Sequence, residues 1–175
     1  MNTNNQSSQQ ANTIFITGAT GGLGKAFAVE CASRGWNLFL TDKSESSLNS
    51  LAAGLRNNYG VQVITVSCDL TNPRSRDLMF DRIRSEPMFF TMLINVAGID
   101  FEGLFYNQTS QQILTIIRLN IEATLSITHA ILPYRNQHRT FRIINVSSLA
   151  AFYPMPVKAI YAATKRFLLD FYLAL

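Results

Sequence analysis

Cysteine is nearly absent from this chain: Cys31 and Cys68 are its only two thiols in 175 residues. They lie far apart and match no metal-ligand or redox spacing, so no metal site is expected, and reduced thiols in a cytoplasmic protein are the natural reading. Histidine is as rare, and neither His129 nor His138 falls in a pattern that a catalytic site needs. Charge is sparse too, at 15% of residues with a formal net charge of +4. The basic side chains are scattered, apart from a group formed by Arg135, His138, Arg139 and Arg142. That group falls where a helix should end, and cations there complement the helix dipole, so no nucleic-acid partner is expected from it. Long apolar runs are missing as well. A membrane span needs roughly 18 to 20 uncharged apolar residues. The nearest window, Ile113 to Leu132, is interrupted by Arg118, Glu122 and His129, so no membrane partner is expected. Met1 to Asn12 is almost wholly polar, lacks the charged start and apolar stretch of a secretory leader, and is expected to be a disordered tail.

Apolar residues, by contrast, make up 47% of the chain, enough for one sizeable core at this length and too few for two domains. A single unit is expected over Thr13 to Leu175. Short apolar runs at Thr13 to Thr17, Asn37 to Thr41, Val61 to Ser67, Thr91 to Asn95 and Phe141 to Val146 read as strands. Between them, helices are expected near Leu23 to Arg34, Ser44 to Asn58, Pro73 to Ser85 and Ser110 to Arg135, with a last one from Val157 to the end. This α/β alternation predicts a parallel sheet covered by helices. Right-handed connections that reverse after the third strand give a Rossmann-like doubly wound sheet of order 3-2-1-4-5. Its ligand crevice lies between the C-terminal ends of the first and fourth strands.

The run Thr17-Gly18-Ala19-Thr20-Gly21-Gly22-Leu23-Gly24 stands between the first strand and the first helix. Glycines there allow positive φ and close approach, so the turn can aim free N–H groups at a pyrophosphate on the helix N-terminus. The spacing of Gly18, Gly22 and Gly24 resembles the TGxxxGxG loop of the short-chain dehydrogenase/reductase family, which implies that Gly18, Thr20, Gly22, Leu23 and Gly24 bind a nicotinamide cofactor. The second strand ends at Asp42, about 20 residues beyond the loop, where a carboxylate can accept from ribose hydroxyls and repel a 2'-phosphate. A helix cap before Ser44 is the other reading of Asp42. Lys43 could tolerate the phosphate, but Gly21 supplies no second cation, so NAD is favoured over NADP.

After the third strand come Asp69 and Leu70; the resemblance implies that Asp69 reaches the adenine amino group, while a turn-capping Asp remains the alternative. Asn95-Val96-Ala97-Gly98 is similar to the family's NNAG motif with Val96 in place of its second Asn. Asn95 reads as mainly structural, tying strands together, with Ala97 and Gly98 letting the cofactor approach.

Tyr161 and Lys165 open the last helix four residues apart, on one face. Ser148 stands 13 positions before Tyr161, and Asn120 lies on the preceding long helix. Together they resemble the family's Asn-Ser-Tyr-Lys tetrad. The chemistry accounts for the types: moving a hydride to or from a carbon requires a group that moves a proton while charge develops on oxygen. A phenol titrates near pH ~10, so a tyrosine acid/base needs a cation beside it, and lowering its pKa by about three units takes about 4 kcal/mol. Lys165 is placed to supply that cation and, by the resemblance, to bind the nicotinamide ribose. Ser148 would hydrogen-bond the substrate oxygen, with Ser147 as the alternative, and Asn120 would hold a water through its backbone.

The resemblance runs from Thr13 to Leu175 and implies a carbonyl or alcohol substrate, and a homo-oligomer formed through the helices Ser110 to Arg135 and Val157 onward. Relatives continue with further strands that cover the substrate, so a missing C-terminal end is expected. Two classes stay open: an NAD(P)-dependent dehydrogenase, or a weakly active or inactive nucleotide-binding and dimerisation module.

Overall fold

The computed structural model describes residues 12–175. The tail expected over Met1 to Asn12 therefore lies, except for Asn12, outside the described residues. Five parallel strands form one sheet of order β3-β2-β1-β4-β5: β1 (Thr13–Thr17), β2 (Asn37–Asp42), β3 (Val63–Ser67), β4 (Met92–Asn95) and β5 (Arg142–Asn145). The order is the one expected. β3, β4 and β5 are one or two residues shorter than the runs expected at Val61 to Ser67, Thr91 to Asn95 and Phe141 to Val146, and Phe90 makes an isolated bridge to Arg135 ahead of β4.

Side chains alternate across each strand, so two separate cores form on the two faces. Ile14, Ile16, Leu38, Leu40 and Ile94 pack under the first two helices, α1 (Gly22–Ser33) and α2 (Glu45–Tyr59). Phe15, Phe39 and Leu93 point the other way, toward α3 (Pro73–Arg84) and α5 (Thr124–Ile131). On that face the rings of Phe15, Phe39 and Phe90 meet with centroids 4.8 to 5.9 Å apart.

Local chemistry fixes the helix ends. Ser44 caps α2, whose far end closes on Gly60 at φ 66°, a left-handed position suited to glycine. Asn72 caps α3 with Pro73 in its first turn. Thr109 and Gln112 form a reciprocal capping box on α4 (Ser110–Ile117). The single helix expected over Ser110 to Arg135 is a continuous rod of four segments. α4 runs into a π turn at Arg118–Ala123, then into α5, and a 3-10 turn at Leu132–Tyr134 ends it. The last helix, α6 (Ala159–Ala174), packs across α4 and the π turn. Register brings Thr17, Thr41 and Asn95 level at the C-terminal edge of the sheet, with Asn145 beside Asn95. The order reverses at β1, and the glycine loop opens there.

Candidate active site

Two of the loop glycines are required by the backbone itself. Gly18 has φ 63°, and a Cβ on it would stand 2.8 Å from the Ala97 nitrogen. A Cβ on Gly24 would stand 2.1 Å from the Gly18 carbonyl oxygen. Gly22 differs: a Cβ there would meet nothing within 4 Å, so the protein's own packing does not explain it. The N-cap of α1 is Gly21, which offers no side-chain acceptor, and the first-turn N–H groups lack a side-chain cap. Such groups suit an anion.

In front of them lies a cleft of about 730 Å³, the largest of the cavities described. Gly18, Gly22, Leu23, Asp42, Lys43, Asp69, Leu70, Ala97 and Gly98 line it, among the residues expected to bind a cofactor. Thr20, Gly24, Asn95, Tyr161 and Lys165 do not. Thr20 instead ties down Asp42, while Gly24 packs on Gly18. Asn95 donates from Nδ2 to the hydroxyls of Thr128 and Tyr172, so it ties β4 to α5 and α6 rather than strand to strand. That network is buried, and burial pushes the Tyr172 phenol pKa up. Gln111, Thr115 and Leu119 also line the cleft. Their spacing of four on one helix face was the available sequence signal. The Thr17 hydroxyl accepts from the Val96 and Ala97 nitrogens at 3.1 and 3.2 Å, locking the ends of β1 and β4 together.

The Asp42 carboxylate is already engaged. Oδ2 accepts from the nitrogen and hydroxyl of Thr20 at 2.9 and 2.7 Å, and Oδ1 accepts from the Lys43 nitrogen at 2.7 Å. It clamps the glycine loop, and the cap before α2 is Ser44, not Asp42. Lys43 extends its ammonium to within 3.1 Å of Asp69 Oδ2. Asp69 also accepts from the hydroxyl and nitrogen of Thr71, which makes it the cap of its own turn. The Thr71 hydroxyl, and then Lys43, hold its carboxyl below the usual carboxylate range. The two cysteines are buried free thiols. Burial pushes Cys31 up to about 11 and Cys68 upward as well, which keeps both protonated at neutral pH.

Behind the cleft wall at Gly98 and Ile99, three of the tetrad residues, Asn120, Tyr161 and Lys165, lie close together, though none of them lines the cleft itself. Asn120 is fully buried in the π turn, a geometry that recurs at functional sites. Its side chain accepts from the Ile99 nitrogen and donates to the Ile99 carbonyl and the Thr164 hydroxyl. Lys165 is 4% exposed; its Nζ donates to the Val146 carbonyl at 2.8 Å and stands 5.6 Å from the Tyr161 ring centroid. Burial lowers its pKa. A Cβ on Gly98 would lie 3.3 Å from Asn120 Oδ1 and 3.4 Å from Lys165 Nζ, so glycine there gives the pair its room. Of the two serines, Ser147 donates its hydroxyl to the Lys165 carbonyl. Ser148 accepts from the Ala150 nitrogen, which leaves its own hydroxyl proton free to donate.

A clasp that the sequence reading missed holds the entry to α6. Lys158 Nζ pairs with Asp100 and Glu102 at 2.5 and 2.8 Å, and these carboxylates push its pKa up. Gly103 donates to the Val157 carbonyl, and Val157 has φ 60°.

The parts fit a nicotinamide dinucleotide: open space before Gly22 and uncapped N–H groups for phosphate, and a buried cation near a tyrosine ring beside Gly98. Among the described residues no helix is long and apolar enough to cross a membrane.

Residues 12–175 match the family model described as short chain dehydrogenase. The chain is 32% identical over 164 residues to the very-long-chain 3-oxoacyl-CoA reductase of Laccaria bicolor, covering 91% of this chain and 48% of that protein. It thus spans about half the length of the curated relatives it matches. A short-chain dehydrogenase from Sphingobium yanoikuyae in complex with NADPH superposes with TM-score 0.86 at 36% identity, over 93% of this chain and 63% of that one. L-sorbose reductase from Gluconobacter frateurii, complexed with NADPH and L-sorbose, superposes with TM-score 0.86 at 25% identity, over 93% and 62% of the two chains. These neighbours overturn the expected preference for NAD. The physical reason lies in Asp42: its oxygens are bound to Thr20 and Lys43 N–H groups, while the Lys43 ammonium reaches into the same end of the cleft.

Proposed function

Because the chain belongs to the short-chain dehydrogenase family, we propose that it forms the cofactor-binding and catalytic part of an NADPH-dependent carbonyl reductase acting on a 3-oxoacyl thioester or a similarly bulky ketone. The observation that carries this reading is the buried Lys165 ammonium 5.6 Å from the Tyr161 ring, next to Gly98 in the wall of the glycine-lined cleft. When bound, the reduced nicotinamide supplies the hydride. Every other step belongs to the chain. The Ser148 hydroxyl donates to the substrate carbonyl oxygen and stabilises the charge that develops there. Tyr161 gives its proton to that oxygen as the C–H bond forms, and Lys165 stabilises the phenolate left behind. A partly desolvated ammonium does this better than a hydrated one, since its field is less screened. Gly18, Gly22 and Leu23 would seat the pyrophosphate, Lys43 the 2'-phosphate, and Ala97 and Gly98 the adjoining ribose. The same reading pairs two copies through the rod of α4 and α5 and through α6, a surface supported by the exposed Leu114, Ile117 and Phe167.

The test is reduction of a 3-oxoacyl thioester with NADPH by wild type and Tyr161→Phe. We expect NADPH binding to persist and turnover to fall by at least about a thousandfold, within the range for loss of a positioned acid/base. Unchanged turnover in Tyr161→Phe would falsify the catalytic assignment.

A further inference from the structure

Arg76 is a charged residue that the chemistry above does not use, and it is 4% exposed. It sits in the first half of α3, beneath the cofactor cleft. Its guanidinium Nη1 donates to the Leu70 carbonyl at 2.6 Å, and Nη2 pairs with Glu122. Leu70 is part of the cleft wall beside Asp69. Glu122 lies in the π turn, two residues after Asn120. One planar fork therefore grips both the wall that would face the adenosine half of the cofactor and the turn that carries a tetrad residue. A buried ion pair is a poor stabilising device, since desolvation offsets its attraction and apolar replacements are often neutral. Arg also holds two acceptors in a fixed relative geometry, as no apolar side chain can. Glu122 remains 44% exposed on its side chain, so losing Arg76 would leave a carboxylate that water can solvate.

From this we infer that Arg76 is a positioning residue that sets the adenosine wall at Leu70 and, through Glu122, the π turn that places Asn120. The inference rests on the cofactor reading above for its consequence, while the brace itself is a property of the ligand-free chain.

Three proteins separate the possibilities: wild type, Arg76→Met and Glu122→Met. In amide hydrogen exchange without ligand, Arg76→Met should speed exchange by tenfold or more in both 69–71 and 118–123. Glu122→Met should do so in 118–123 alone. Unchanged exchange in 118–123 in both variants overturns the brace, whatever the cofactor result. With NADPH and substrate, Arg76→Met should raise KM for NADPH and lower kcat. Glu122→Met should lower kcat and shift its pH profile while leaving that KM within twofold. Variants that melt earlier yet keep wild-type KM, kcat and pH profile would reduce Arg76 to a structural residue and refute the positioning role. A wild type that binds no NADPH defeats the functional reading instead, and the exchange experiment still decides the brace.

Discussion

Gly22 and Gly24 stand two residues apart in one loop, and adding a single methyl group to each should have opposite consequences for folding. At Gly24 the methyl carbon would lie 2.1 Å from the Gly18 oxygen and 2.8 Å from the Ala19 Cα. Both obstacles are backbone, so neither can rotate away, and the shorter contact falls roughly 0.9 Å inside the 3.0 Å that real Cβ atoms essentially never breach. Overpacking of this kind costs about 1–3 kcal/mol, and the upper end applies where backbone must move. For a chain of this size each kcal/mol shifts the melting temperature by about 2–4 °C, so Gly24→Ala should melt about 6–12 °C lower. At Gly22 the methyl group meets nothing, and an alanine at the start of a helix should gain about 0.4–1 kcal/mol from the unfolded chain. Its melting temperature should hold or rise slightly. Yet both variants should bind NADPH at least about tenfold more weakly, a loss of about 1.4 kcal/mol, Gly24→Ala by distorting the loop and Gly22→Ala by filling space that a phosphate needs. Thermal melts and fluorescence titration with NADPH measure the two effects separately. If Gly22→Ala binds NADPH as wild type does, the space before Gly22 is not the phosphate seat. If Gly24→Ala melts with wild type, the contact argument is wrong.

Lys43→Ala should weaken NADPH by about tenfold, as expected for a lost charge-assisted contact, and leave NADH unaffected. Equal loss for both cofactors would show that Lys43 does not face the 2'-phosphate. Gly98→Ala should lower kcat at saturating NADPH by about tenfold, because the methyl group displaces Lys165 or Asn120 by a few tenths of an ångström from its working position; steady-state kinetics read this, and an unchanged kcat speaks against it. Tyr172→Phe should destabilise by about 1–3 kcal/mol near neutral pH by removing the partner of Thr128 and Asn95. Burial raises the Tyr172 pKa in the folded chain, so its contribution is present in full below about pH 10 and fades as the pH climbs through the folded value. Denaturant midpoints of wild type and variant should therefore converge at alkaline pH, and a gap that widens there would contradict the assignment.

The sheet was legible because its signal is local and repeated. Each buried strand carries a short apolar run, and the helices between them leave few connections that obey right-handedness. Gly18, Gly22 and Gly24, and the pair Tyr161 and Lys165, were legible for a similar reason: a turn or a helix face fixes their relation within a few residues. The π turn was not. Leu119-Asn120-Ile121 has the same pattern in an α-helix, and the contacts that hold Asn120 in the π turn, to Ile99 and Thr164, come from segments distant in sequence. The error over the cofactor has a similar origin. In sequence Asp42 reads as a free carboxylate, whereas in space its oxygens belong to Thr20 and the Lys43 nitrogen. Lys158 was passed over because its partners, Asp100 and Glu102, lie on a distant loop.

The bend at Val157 has a consequence for how such a site can come into being. A β-branched residue in the left-handed region costs roughly 1–2 kcal/mol, so the segment entering α6 would not choose this path by itself. What holds it there is the loop around Asp100, separated from Lys158 by 58 positions. The path into α6, and with it the placing of Tyr161, therefore depends on a contact remote in sequence. Residues far from α6 in the chain thus govern how its first turn is aimed, and loosening the grip of Asp100 and Glu102 on Lys158 would free that turn to relax toward an unstrained path.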